Sequence, residues 1–158
     1  MPKLCVLSDS HGFIHPEIVA MVSQCDLAIH VGDIIDESTL AQLQPKDKLI
    51  AVKGNNDDHI TWLNAIEMLE IDNKLIAIEH GHLHGHQSPS HDSLREAYPE
   101  AQLIIYGHTH KQVVDTNKTP WIINPGASGN IRNHGGAKCL IIDTDSHQNW
   151  SITAHIFA

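Results

Sequence analysis

Leu103-Ile104-Ile105-Tyr106 runs directly into Gly107-His108-Thr109-His110, and the reading of this octapeptide decides the fold. Four apolar residues without a helical period read as a buried strand. Both histidines therefore stand at its carboxyl end. Side chains alternate faces along an extended chain, so His108 and His110 would project the same way, their Cα atoms roughly 6–7 Å apart. They could then reach one site or two adjacent ones. Taken alone, the pair fits surface or satisfied core histidines equally well. The arrangement recurs upstream, and the recurrence gives it weight.

Lys3-Leu4-Cys5-Val6-Leu7 is a short apolar strand entering Ser8-Asp9-Ser10-His11-Gly12, where small residues and a glycine permit a tight turn. Pro16 suits a first helical turn, and Ile18, Val19, Met21 and Val22 form a helical stripe ending near Gln24. A second strand, Leu27 to Val31, ends in Gly32-Asp33. Glu37 to Leu43 is a short helix candidate before Pro45. A third strand, Lys48 to Val52, ends in Gly54-Asn55-Asn56-Asp57. Three times a polar, ligand-type residue follows an apolar run. Strands alternating with helices imply right-handed βαβ units and a parallel sheet, with ligand sites outside the carboxyl ends. The three loops are expected to converge.

Ile66 to Ile71 and Lys74 to Glu79 are separated by Asp72-Asn73, a two-residue hairpin turn. The second run delivers His80-Gly81-His82. His91 to Tyr98 reads as a helix stopped by Pro99, and Leu103 to Tyr106 follows. Beyond the opening motif come short apolar runs at Gln112–Asp115, Trp121–Ile123, Cys139–Ile142 and Ile152–Ile156 with no helix among them. The second half therefore reads as largely antiparallel, and the Gly126 to Gly136 loop as mobile. The fold class expected is α/β of α+β character: a four-layer αββα sandwich of two facing mixed sheets flanked by helices. Its 158 residues suit a single domain spanning residues 1–158.

Ten Lys plus Arg against nineteen Asp plus Glu give a formal charge of −9, which opposes long nucleic acids and anionic lipid as partners. A phosphate-bearing substrate would need a local reversal of that field. Fourteen histidines are the compositional outlier, whereas the three cysteines are scattered without a CxxC pair, disfavouring disulfides and a cysteine zinc site. No basic leader precedes a signal-like run, and no apolar stretch approaches the roughly 20 residues that span a bilayer. A cytoplasmic location without a membrane partner is expected.

Collected, the strand-end residues are Asp9, His11, Asp33, Asn55, His80, His108 and His110. Imidazole favours transition metals while carboxylate and amide oxygens accommodate harder ions, so the mixture suits Mn²⁺, Zn²⁺ or Fe²⁺. Seven ligands exceed one tetrahedral site and suit two ions about 3.5–4 Å apart sharing a carboxylate.

The motifs Asp9-Ser-His11, Gly32-Asp33, Gly54-Asn55-Asn56-Asp57, His80-Gly-His82 and Gly107-His108-Thr-His110, followed by Asn124-Pro-Gly126, resemble in kind and order those of the calcineurin-like metallophosphoesterases. The similarity is greatest to the family's small single-domain prokaryotic phosphodiesterases. It implies that Asp9, His11 and His110 bind a first metal, Asn55, His80 and His108 a second, and that Asp33 bridges them. The implied cofactors are two divalent ions, Mn²⁺ first, with Zn²⁺, Fe²⁺ or Ni²⁺ as alternatives. The implied reaction is hydrolysis of a small phosphodiester or phosphomonoester by a metal-bridging hydroxide, with no covalent protein intermediate. Two divalent ions against Asp9 and Asp33 leave about +2, a local cation within an acidic chain.

The chain departs from many relatives at Asn56, where they carry a histidine that protonates the leaving group. An amide cannot do so, and a missing general acid costs about 10²–10⁴ in rate, most on poor leaving groups. Asn56 and Arg132 are candidate substrate contacts, Arg132 because its guanidinium can clamp a phosphate. Asp33, Asn55, Asp57 and His82 are the candidate catalytic residues, Asp57 as an orienter of a neighbour or else a cap or turn residue. His84, His86 and His91 read as solvated loop positions, with adventitious metal binding or proton donation as alternatives. Cys5 and Cys139 read as small core residues. A homo-oligomer, dimer or tetramer, is compatible with the sequence. The competing function is a noncatalytic interaction scaffold of the same fold, like a eukaryotic retromer subunit.

Overall fold

The structure is a computed structural model that describes residues 2–84, 89–144 and 150–158. His86 lies outside the described residues. Ten strands and two α-helices follow in the order β1 (Lys3–Leu7), α1 (Pro16–Val22), β2 (Leu27–His30), β3 (Lys48–Ala51), β4 (Ile66–Ile71), β5 (Lys74–Glu79), α2 (His91–Ala97), β6 (Leu103–Ile105), β7 (Val113–Asp115), β8 (Trp121–Asn124), β9 (Ala137–Asp143) and β10 (Ser151–Phe157). The Glu37 segment forms a 3₁₀ helix over Glu37–Gln42, its first turn capped by the Asp36 carboxylate on the Ser38 N–H.

Two five-stranded sheets result, ordered β10-β9-β1-β2-β3 and β4-β5-β6-β8-β7. Period-two alternation sorts the side chains into layers. Leu4 and Val6 join Ile76, Ile78, Leu103 and Ile105 in the core between the sheets. Cys5 and Leu7, one residue out of phase, pack with Ile18 and Val22 of α1. Ala77 and Ile104 pack with Leu94 of α2. The central strands are apolar on both faces because both are covered, and the layers are α, β, β, α as the apolar runs predict. Each fully buried Leu or Ile contributes about 1.5–3 kcal/mol. The central strands are therefore rigid supports for the loops they carry.

The expectation of a largely antiparallel second half is wrong at the centre of the second sheet. β5, β6 and β8 run parallel, because α2 crosses over between β5 and β6 and β7 folds back on the outer edge of β8. β9 and β10 leave that sheet and return to the first, where β9 pairs antiparallel with β1. The parallel strands of each sheet thus end with their carboxyl termini toward the polar loops. Asp72 and Asn73, at φ 55° and 63°, make the hairpin turn between β4 and β5. Among the described residues no helix is long and apolar enough to cross a membrane.

Candidate metal centre

The loops after β1, β2, β5 and β6 meet at one place. Asp9, Asp33, His80 and His110 are buried there, and His11 and His108 are half-buried. His11 Nε2 lies 3.2 Å from His110 Nε2 and 3.5 Å from Asp33 Oδ2. His110 Nε2 is 3.5 Å from Asp9 Oδ1. On the other flank, His80 Nε2 is 3.4 Å from Asp33 Oδ2, 3.7 Å from Asp9 Oδ1 and 3.3 Å from His108 Nδ1. One group is thus Asp9, His11 and His110, another is Asp9, Asp33 and His80; Asp9 is common to both, and Asp33 Oδ2 lies near both His11 and His80.

His108 and His110 do not project the same way. β6 ends at Ile105, and the two residues take φ of 73° and 63°, so each imidazole turns to a different flank. Asp9, His11 and Asp33 share this left-handed backbone, at 52°, 47° and 57°. Such conformations cost about 1–2 kcal/mol each for non-glycine residues, and their concentration here marks a functional constraint. Close approach is the second constraint. A Cβ on Gly54 would fall 2.2 Å from Asp33 Oδ1, and one on Gly32, at φ 103°, 2.7 Å from His80 Nδ1.

Proton positions follow from the partners. His80 Nδ1 donates to the Val31 carbonyl at 2.8 Å and His110 Nδ1 to the Ile131 carbonyl at 3.0 Å. A carbonyl only accepts, so in the neutral rings the Nε2 lone pairs face the carboxylates. Asp9 Oδ2 accepts from the Ser8 hydroxyl and the His108 N–H, leaving buried Oδ1 without a partner. Nitrogen and carboxylate donors brought this close could hold a cation between them. The donor set of imidazole nitrogens and carboxylate oxygens fits a divalent transition ion.

The electrostatics divide the cluster: His11, His108 and His110 favour the neutral form, whereas the carboxylates favour a proton on His80. Burial raises the Asp9 carboxyl to about 6, opposed by His80 and Ser8. Burial acts the same way on Asp33, but His80 and Asn56 together hold it well below the ordinary carboxylate range. His80 is also desolvated, yet the two carboxylates raise its pKa. Burial lowers His11, His108 and His110, and the Arg132 charge adds to this at all three. Neutral imidazole is the metal-binding form.

The remaining candidates are placed differently. Asn55 is exposed, and among the described residues no hydrogen bond is found that ties its side chain to the cluster. Asn56 instead reaches Asp33, donating its N–H to Oδ1 and its side-chain amide to Oδ2, both at 3.1 Å. Asp57 is engaged with backbone instead. Its fully buried carboxylate accepts the backbone N–H groups of Ile34, Ile35 and Gly54 at 2.8–3.1 Å. It is a positioning residue, an orienter of backbone, and its placement among the catalytic residues is corrected. His82 has its ring 5.5 Å from that of His80, with a buried Nδ1 that has no partner. Arg132 is exposed, with Nη2 3.5 Å from His110 Nε2.

His84 and His91 are not free loop positions. Each meets a carboxylate, Glu79 at 2.7 Å and Asp115 at 2.6 Å respectively. Sequence reading missed Ser8 and the role of Asn124, whose side-chain amide donates to the Gly107 carbonyl and Thr109 hydroxyl at 3.0 Å and so braces the histidine loop. The Asn-Pro-Gly turn was its only signal.

Residues 3–147 match the family model described as the calcineurin-like phosphoesterase superfamily domain. A probable metallophosphoesterase of Methanocaldococcus jannaschii is 34% identical over 133 residues, 77% of this chain and 66% of that protein, so the match spans just under two thirds of the relative's length. A phosphodiesterase of the same archaeon is 28% identical over 143 residues, 78% of this chain and 82% of that protein. Among solved structures, Vps29 of Entamoeba histolytica complexed with zinc superposes with a TM-score of 0.79 at 17% identity, covering 99% of each chain; at that identity the likeness concerns the fold. With the domain match covering most of the chain and the polar loops meeting at the strand ends, this chain belongs to the calcineurin-like phosphoesterase superfamily.

Proposed function

We propose that the protein is a dinuclear metal-dependent phosphodiesterase. The observation that carries this reading is the Asp33 oxygen, 3.5 Å from His11 Nε2 and 3.4 Å from His80 Nε2, within a cluster of imidazole nitrogens and carboxylate oxygens. Asp9, His11 and His110 would hold one ion, His80 and His108 the other, and Asp33 both; Asn55, exposed and untied to the cluster, enters the second set on the resemblance alone. Mn²⁺ is the first choice, with Zn²⁺, Fe²⁺ or Ni²⁺ as alternatives for this mixed donor set. When bound, the ions would supply Lewis-acid polarisation of the phosphoryl group and an acidified water as the attacking group.

The chain's own residues do the rest. Val31 and Ile131 hold His80 and His110 in the Nδ1–H tautomer. Asn56 steadies Asp33 through two hydrogen bonds and cannot donate a proton to a leaving group. Arg132, at the rim beside His110, is suited to a non-bridging phosphate oxygen. His82, next to His80, is suited to contact the substrate. Small phosphodiesters with good leaving groups are the expected substrates, ahead of alkyl monoesters. Three cysteines left unpaired among the described residues accord with work in the cytoplasm.

The alternative is a noncatalytic scaffold, which the likeness in fold to Vps29 leaves open. Protein purified without an affinity histidine tag, assayed on bis(p-nitrophenyl) phosphate with and without Mn²⁺, separates the two. Mn²⁺-dependent hydrolysis supports the enzyme, and inactivity with both ions bound supports the scaffold.

A further inference from the structure

Lys138, near the start of β9, is a lysine only 9% exposed, and its ammonium is fully engaged. It donates to the carbonyl of Asn133 and, at 3.1 Å, to those of His134 and Gly136. An ammonium has three donors, so a tripod of carbonyls compensates its burial. The three acceptors lie in a loop that needs such a hold. Arg132 and His134 both take left-handed backbone, at φ 48° and 54°. The Asn133 side chain closes the loop from within, donating to the Gly129 carbonyl and accepting from the Gly136 N–H, both at 3.1 Å. The Gly126 to Gly136 segment is therefore braced, contrary to the mobility its glycines suggest.

What the loop presents is the edge of the metal centre. Ile131, two residues before Asn133, supplies the carbonyl that receives His110 Nδ1–H. Arg132, immediately before Asn133, brings its guanidinium to His110. We infer that Lys138 is a positioning residue for the centre: its tripod holds the loop so that Ile131 keeps the His110 ring proton on Nδ1 and Arg132 stays at the rim. The inference rests on the phosphodiesterase reading for its consequences in catalysis, but its structural part does not.

Lys138→Met keeps the volume and removes the donors. Three readouts test it. In metal-free protein, imidazole ¹⁵N shifts report the tautomer of His110: the wild type should show Nδ1–H, and Lys138→Met a mixture. Mn²⁺ affinity, measured by calorimetry, should fall roughly tenfold, at the lower end of what outer-sphere losses cost. On an aryl phosphodiester, KM should rise more than kcat falls, and Arg132→Ala should have a smaller effect in the Lys138→Met background than in the wild type. An unchanged His110 tautomer with an undiminished Arg132→Ala effect would overturn the inference, leaving Lys138 a loop staple only. If Lys138→Met does not fold, Lys138→Gln, which keeps two of the three donors on a shorter arm, should show the same tautomer and Arg132→Ala changes at reduced size. A wild type that hydrolyses nothing defeats the functional reading while the tautomer measurement still decides this one.

Discussion

His11 and His110, ninety-nine positions apart in the chain, bring their Nε2 atoms to 3.2 Å. The His110 ring has its other nitrogen bonded to a carbonyl, so its Nε2 lone pair, 3.5 Å from Asp9 Oδ1, is placed to bind a cation. Mn²⁺ at 100 times its dissociation constant should stabilise the fold by about 2.7 kcal/mol, raising Tm by roughly 5–10 °C. Asp9→Asn should lose most of that rise. Differential scanning fluorimetry with and without a chelator checks it, and an unshifted wild-type Tm would count against the site.

Asp57 ties the loop after β2 to the loop after β3 through three backbone N–H groups. Asp57→Asn turns one accepting oxygen into a donor aimed at those N–H groups, at a cost of about 3 kcal/mol, or a Tm fall of roughly 10 °C. Because Asp33 rides on the same loop, kcat should fall with it. A destabilised variant with full kcat at low temperature would show that Asp57 positions nothing at the centre.

Leaving-group chemistry follows from Asn56. The rate of wild-type hydrolysis should fall steeply as leaving-group pKa rises across a series of aryl and alkyl phosphodiesters, since no acid stands at this position. Asn56→His should flatten that dependence, gaining most on the poorest leaving groups. A flat wild-type plot would point to another proton donor.

His30, completely buried, accepts the Gly32 N–H through Nδ1 and bonds the Ser10 hydroxyl through Nε2. Burial lowers its pKa to about 4; Asp57 and Asp33 oppose this, and His80 and His11 reinforce it. The unfolded chain takes up this proton near pH 6.5 and the native state only near 4. Stability is therefore full above pH 6.5 and declines as pH falls toward 4, by about 3 kcal/mol. Denaturant unfolding of metal-free protein at stepped pH measures it. His30→Asn should flatten that window, and an identical profile in the variant would assign the acid loss elsewhere.

Much of this was legible in the sequence because apolar runs ending in Asp9, Asp33, His80 and His108 can only be strands delivering polar residues to one edge. The parallel centre of the second sheet was not, since β5, β6 and β8 look alike whichever way they run and only the α2 crossover sets their direction. The divergence of His108 and His110 depends on left-handed backbone at non-glycine residues, which no side-chain pattern announces. The backbone partners of Asp57, and Lys138 altogether, escaped for a related reason: each acts on backbone groups distant or unremarkable in sequence. Asn55 and Asn56 are adjacent amides, and composition could not say which one reaches Asp33.

Asp33 as the carboxylate common to two ions is the centre of the account. Anomalous diffraction from crystals grown with Mn²⁺ measures this directly. Two peaks about 3.5–4 Å apart, one on each side of the Asp33 carboxylate, are the predicted result. A single peak, or peaks gathered around His84 and His91 away from Asp33, would contradict it.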